Sequence, residues 1–131
     1  MSEFLLLITM VFFHIFDDFY LQGILANMKQ KDWWAKNYPD KLYRNDYKIA
    51  LFIHSFSWSF MIHVPCIIYV YLLNKSIMSH SVIVSFVVNL ICHAIVDNLK
   101  ANKHEISLCT DQAIHFIQVL IVWLMIITCA R

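Results

Sequence analysis

Apolar positions along this chain fall into four long blocks, and within those blocks the polar residues recur at intervals of four. The blocks run roughly from Phe4 to Leu25, Lys48 to Leu73, Ser81 to Leu99 and Thr110 to Ala130. About 20 mostly apolar helical residues cross a bilayer core, so the pattern predicts four transmembrane helices. The first block reaches that length only with His14, Asp17 and Asp18 inside the span, because the uninterrupted run from Phe4 to Phe13 is too short. Pro65 falls within the second, and membrane helices tolerate such a break where neighbours satisfy the freed carbonyl. The expected fold is all-α: one polytopic membrane domain over residues 1–131, with four helices in an up-down bundle and an interfacial segment after the first.

Composition supports that reading. Of 131 residues, 60% are hydrophobic and only 15% charged, with a single glycine, Gly23. A soluble domain of this size has too much surface for its volume to hide so much apolar material, so the bilayer is an expected partner. Met1, Ser2 and Glu3 give no positive region, and no small-residue cleavage site follows, so the first block is expected to stay in the mature protein. Cys66, Cys92, Cys109 and Cys129 form no C-x-x-C pair and read as reduced thiols. A net charge of +1 without a basic stripe argues against a nucleic-acid partner. A homo-oligomer is compatible with the sequence, which sets no number of copies.

Lysine and arginine bias in the connections gives an orientation. Lys29, Lys31, Lys36, Lys41, Arg44, Lys48, Lys100 and Lys103 fall on one side, against Lys75 and Arg131 on the other. This predicts an inner (cytoplasmic) membrane protein with both termini outside. The first connection, Ala26 to Tyr47, interleaves Trp33, Trp34, Tyr38, Tyr43 and Tyr47 with charges, a mixture suited to the headgroup level. It reads either as an ordinary aromatic belt or as a lid over a site at the inner interface.

The candidate chemistry lies in the polar residues inside the blocks. An aspartate at the bilayer centre costs about 2.5–3.5 kcal/mol, so such groups need partners. His14–Asp18–Gln22, Asn89–His93–Asp97 and Asp111–His115 each repeat at four, which places each set on one helix face. Under the orientation above they share one level with His54, near the cytoplasmic face. Imidazole and carboxylate together are a ligand set for zinc, manganese or iron rather than calcium. The expected metal ligands are His14, Asp18, His93, Asp97, Asp111 and His115, holding one or two divalent transition-metal ions. His63, mid-span and away from this layer, reads as interhelical glue, and Asp17 is left open as a neighbour of Asp18 facing another helix.

These segments carry a resemblance. His14-Ile-Phe-Asp17-Asp18-Phe19-Tyr20-Leu21-Gln22, Leu51-Phe-Ile-His54-Ser55, His93-Ala-Ile-Val-Asp97-Asn-Leu-Lys100 and Asp111-Gln112-Ala-Ile-His115 touch every span. In order and spacing the chain resembles the small bacterial and phage membrane proteins catalogued as domain of unknown function 3307. That family usually has glycine before the aspartate of the first motif, where this chain has Asp17, a departure that bears on helix closeness or on the number of carboxylates. The resemblance confers no activity; a looser analogy runs to membrane-bound metal-dependent hydrolases.

Two functions follow as expectations. The first is a metal-dependent hydrolase at the inner leaflet, with His54 as general base or further ligand and Lys100 facing an anionic or lipid-linked substrate. Gln22 and Gln112 then orient substrate or ligands. The second is a non-enzymatic protein, either an ion or proton pathway or a bundle that binds a host partner. The apolar outer halves of spans one and four favour the first.

Overall fold

The computed structural model describes residues 2–74 and 80–129. Lys75, Arg131 and the Ala130 end of the fourth block lie outside the described residues, as does Met1. The described residues form helices and no strand: α1 (Glu3–Ile15), a π-helical turn (Phe16–Leu21), α2 (Leu25–Met28), α3 (Lys31–Asn37), a 3-10 turn (Lys41–Tyr43), α4 (Asp46–Asn74), α5 (His80–Ala101) and α6 (Leu108–Cys129). Four of the helical stretches are long and apolar enough to cross a membrane: α1 with its π turn, α4, α5 and α6. Pro65 is accommodated inside α4.

Local chemistry explains how the first span begins and ends. Ser2 caps α1, its Oγ accepting the Leu5 N–H at 3.2 Å, and Glu3 sits in the first turn where the helix dipole favours an anion. At Phe16 the helix widens into the π turn, closed by the Gln22 N–H on the Asp17 carbonyl at 3.2 Å. An i→i+5 turn advances through a smaller angle per residue than an α-helix. Consecutive Asp17 and Asp18 therefore both face inward, at 1% and 4% exposure. Gly23 follows with φ +46°, the left-handed region that glycine enters without strain. A β-carbon there would meet only the Leu21 carbonyl at 3.8 Å, so the backbone angle, not space, calls for glycine.

The long helices form a ring in which α1 touches α4 and α6, and α5 touches α4 and α6. The start of α1 lies beside the far end of α6, where the Trp123 indole donates to the Glu3 carbonyl at 2.8 Å. One end of the ring is filled by Leu6, Met10, Ile62, Cys66, Val119 and Ile126. The outward faces are apolar too, with Phe4, Ile8 and Phe12 on α1, Val88, Ile91 and Ile95 on α5, and Ile117, Ile121 and Leu124 on α6 all exposed. Histidine, aspartate, serine and asparagine are buried instead, the inverse of a soluble protein.

The first connection folds back over one end of the ring. The Trp34 indole donates to the Met28 carbonyl at 2.6 Å, and Trp33, Trp34, Tyr38 and Tyr43 cluster beside it. Asn102, at the end of α5, clamps the segment: its Oδ1 accepts the Lys31 N–H at 2.7 Å and its Nδ2 donates to the Lys29 carbonyl at 3.1 Å.

Candidate metal centre

Six side chains converge beneath that connection. The π turn supplies Asp18, α4 His54, α5 His93 and Asp97, and α6 Asp111 and His115; none is more than 4% exposed. They form three overlapping groups, Asp18–His54–His93, His93–Asp97–His115 and Asp18–Asp111–His115, each with donor atoms within 4.8 Å of one another. These buried groups could hold a metal ion.

The separations bear on the fit. Donors in a tetrahedral shell at about 2.0–2.1 Å from a zinc-sized ion stand about 3.3 Å apart. The His54 and His93 Nε2 atoms are 3.2 Å apart, and His54 Nε2 lies 3.2 Å from Asp97 Oδ2 and 3.5 Å from Asp18 Oδ1. His93 Nε2 stands 3.8 Å from the same Asp97 oxygen. On the other side, His115 Nε2 is 3.3 Å from both Asp97 Oδ1 and Asp111 Oδ1. Asp97 thus turns Oδ2, the oxygen that Lys29 also holds, toward His54 and His93, and Oδ1 toward His115.

Charge and proton placement add to the fit. Buried beside these donors are four carboxylates, Asp17, Asp18, Asp97 and Asp111. Two ammonium groups reach them: Lys29 Nζ lies 2.6 Å from Asp97 Oδ2, and Lys100 Nζ 2.7 Å from Asp111 Oδ2. Two negative charges remain, a costly excess in a dry interior unless a cation or protonated imidazoles balance it. The His115 Nδ1–H donates to Gln118 Oε1 at 2.7 Å, and its Nε2 faces one oxygen each of Asp97 and Asp111, where either a proton or a cation balances the carboxylates. The Gln118 bond is the outer support that metal-bound histidines ordinarily have.

Of the residues expected from sequence, Asp18, His93, Asp97, Asp111 and His115 meet in the cluster. His54, expected as base or ligand, stands among the donors. His14 is adjacent but belongs to none of the three groups. Its Nδ1 accepts the Trp58 indole N–H at 2.8 Å, so the single proton of a neutral ring sits on Nε2 and neither nitrogen has a lone pair free for a metal. Gln112 faces inward, its Nε2 donating to Asp18 Oδ2 at 2.6 Å and to Asp111 Oδ2 at 3.1 Å, which suits it to orient carboxylates rather than touch substrate. The Gln22 side chain donates to the Asp18 carbonyl. Asp17 faces α4, where its Oδ1 accepts from Ser57 at 2.6 Å.

Three contributors escaped the sequence analysis. Lys29, grouped there with the charged fringe of the first connection, is 7% exposed and bonded to Asp97. Trp58 is fully buried, stacking on His93 with ring centroids 4.1 Å apart while holding His14. Gln118 lies three residues beyond His115 and holds its ring. An excess of aspartate over cation in the polar layer was the available signal for Lys29; one more residue of the His115 stripe would have reached Gln118.

A cleft of about 300 Å³ leads to Asp97 between Gln22, Gln30, Lys29, Lys100 and His104. Lys100, with its side chain 30% exposed, stands between that cleft and Asp111. No protein-family model matches the chain, and neither a curated protein nor a solved structure shows significant similarity to it.

Proposed function

We propose that this protein is an integral membrane protein of the inner membrane, with four helices crossing as an up-down bundle and both termini outside, and that it is a metal-dependent hydrolase acting on an anionic or lipid-linked substrate. The inverted arrangement of apolar outer faces and buried polar ones supports the membrane reading. The single observation that carries the metal reading is Asp97, whose two oxygens face two sets of histidine and aspartate donors at ligand-like separations. His54, His93, Asp18 and Asp97 would hold one ion, and His115 and Asp111 with the shared carboxylates a second. Bound there, a divalent ion supplies an activated water and polarises a phosphoryl or acyl oxygen.

The chain's own residues account for the rest. Lys29 and Lys100 give the cleft a positive lining where an anionic group would enter. Gln112 fixes Asp18 and Asp111, and Gln118 fixes the tautomer of His115. Trp58 packs against the deep side of the cluster, stacked on His93. The resemblance to the domain of unknown function 3307 family agrees with this placement of histidine and aspartate and names no substrate.

The test is purification in detergent with metal analysis, followed by hydrolysis of phosphatidic acid in mixed micelles with zinc, manganese or iron(II) added. The reading expects bound transition metal, metal-dependent phosphate release, and loss of both in His93→Ala. Protein that purifies and functions without metal, or a His93→Ala variant as active as the parent, overturns it.

A further inference from the structure

A second polar system leaves the cluster in the direction of the apolar end. On α5, Ser81, Ser85, Asn89, His93 and Asp97 follow one another at intervals of four, and all are buried. On the facing side of α4, Ser55, Ser59 and His63 repeat at the same interval and are at most 1% exposed. Residues of this kind commonly hydrogen-bond across helices. Two facing stripes along most of α5 call for a further reason.

The stripes are joined to the cluster and to each other. His115 Nδ1 meets Gln118 Oε1 at 2.7 Å, and Gln118, Asn89 and Ser85 lie at the inner edge of a half-open, mostly apolar groove of about 130 Å³ between α5 and α6. From there Ser85 Oγ lies 3.0 Å from His63 Nε2, and His63 Nδ1 lies 2.7 Å from the Ser59 carbonyl. Ser81, in the first turn of α5, continues the line to the helix end. Three groups along the way, Gln118 Nε2, Asn89 Nδ2 and Ser59 Oγ, are more than nine-tenths buried and have no hydrogen-bond partner. Buried polar atoms left in that state cost about 1–3 kcal/mol each, a cost that single waters bridging them would offset.

His63 and Ser85 satisfy their bonds in two ways that differ by one proton. In the first, His63 Nδ1–H donates to the Ser59 carbonyl while the Ser85 hydroxyl donates to Nε2. In the second, both ring nitrogens donate, and the Ser85 hydroxyl turns to the Val82 carbonyl 3.0 Å away. No heavy atom moves between them. A proton arriving by water at Ser85 can therefore be taken up and released in place.

We propose that this seam is a hydrogen-bonded proton path, its gaps bridged by single waters, joining the His/Asp cluster to the opposite end of the bundle. It rests on the membrane reading above and is independent of whether the cluster holds metal. The apolar outer halves of spans one and four, which argued against a pathway, do not bear on it, because beyond Gln118 the seam runs on α4 and α5.

The experiment reconstitutes the full chain in phosphatidylcholine–phosphatidylglycerol vesicles containing a pH-sensitive dye, imposes a pH gradient with valinomycin and potassium clamping the potential, and measures metal content on the same sample. Proton entry faster than in protein-free vesicles is expected. Asn89→Leu and Ser85→Val should each slow it about tenfold, the effect of removing one hydrogen-bonding station, with metal content unchanged. Should Asn89→Leu fail to fold, Ser85→Val decides. Wild-type vesicles no leakier than empty ones, or well-folded variants that conduct like the parent, overturn the proposal. Metal-free protein that still conducts would sink the metal reading alone.

Discussion

Around Leu6, Met10, Ile62, Cys66, Val82, Val119 and Ile126 the four long helices touch through apolar side chains, whereas a few turns away, at Asp18, His54, His93, Asp97, Asp111 and His115, the same spans meet through imidazoles and carboxylates. In the apolar half each residue fills its own space, and losing one leaves a hole with unchanged neighbours. In the polar half the partners are shared: Asp97 alone serves Lys29, His54, His93 and His115. Damage there spreads to every group that loses its counter-charge. The two halves should therefore respond differently to single substitutions.

Asp97→Ala should have the largest effect. It leaves the buried Lys29 ammonium without its carboxylate, a defect worth about 3–5 kcal/mol, and should also abolish metal retention; thermal unfolding in detergent with metal analysis measures both. Near-normal metal content in a folded Asp97→Ala protein would remove the basis for calling the polar half collective. Ile62→Ala is the matching cut in the apolar half. Its cavity should cost about 2–4 kcal/mol while the metal stoichiometry holds, so metal loss there would show that the halves are coupled. Chelation of wild-type protein comes next: stripping an ion present at about 100 times its dissociation constant removes about 2.7 kcal/mol, visible as a lowered melting temperature that returns on adding metal. The smallest effect is expected for Gly23→Ala, about 1–2 kcal/mol for a β-carbon at positive φ, read as lower stability with metal binding retained.

Much of the fold was readable in the hydrophobic blocks. The predicted second and third spans, Lys48 to Leu73 and Ser81 to Leu99, differ from α4 and α5 by two residues or fewer at each end, because long apolar runs leave helix as the one way to satisfy the backbone. The four-residue rule worked on α5 and α6, which are regular through His93–Asp97 and Asp111–His115. Across the first span it places His14 and Asp18 both inward, yet gives them different partners for a definite reason. The π turn changes the angular phase between His14 and Gln22, so His14 meets Trp58 while Asp18 meets His54 and Gln112. No periodicity announces a π turn. Lys29 was illegible for another reason: its role depends on Gly23 reversing the chain and on Asn102 clamping the connection, both long-range events in sequence.

Gly23 is the chain's single glycine, and it lies outside the four long helices. No glycine brings two of their backbones together; the facing serines of α4 and α5 are small enough to do so. Ring and branched side chains act as spacers, so their bulk sets the gauge of the interior at each level. Trimming a spacer would let two helices slump together and narrow the bore, even where every bond around it remained intact.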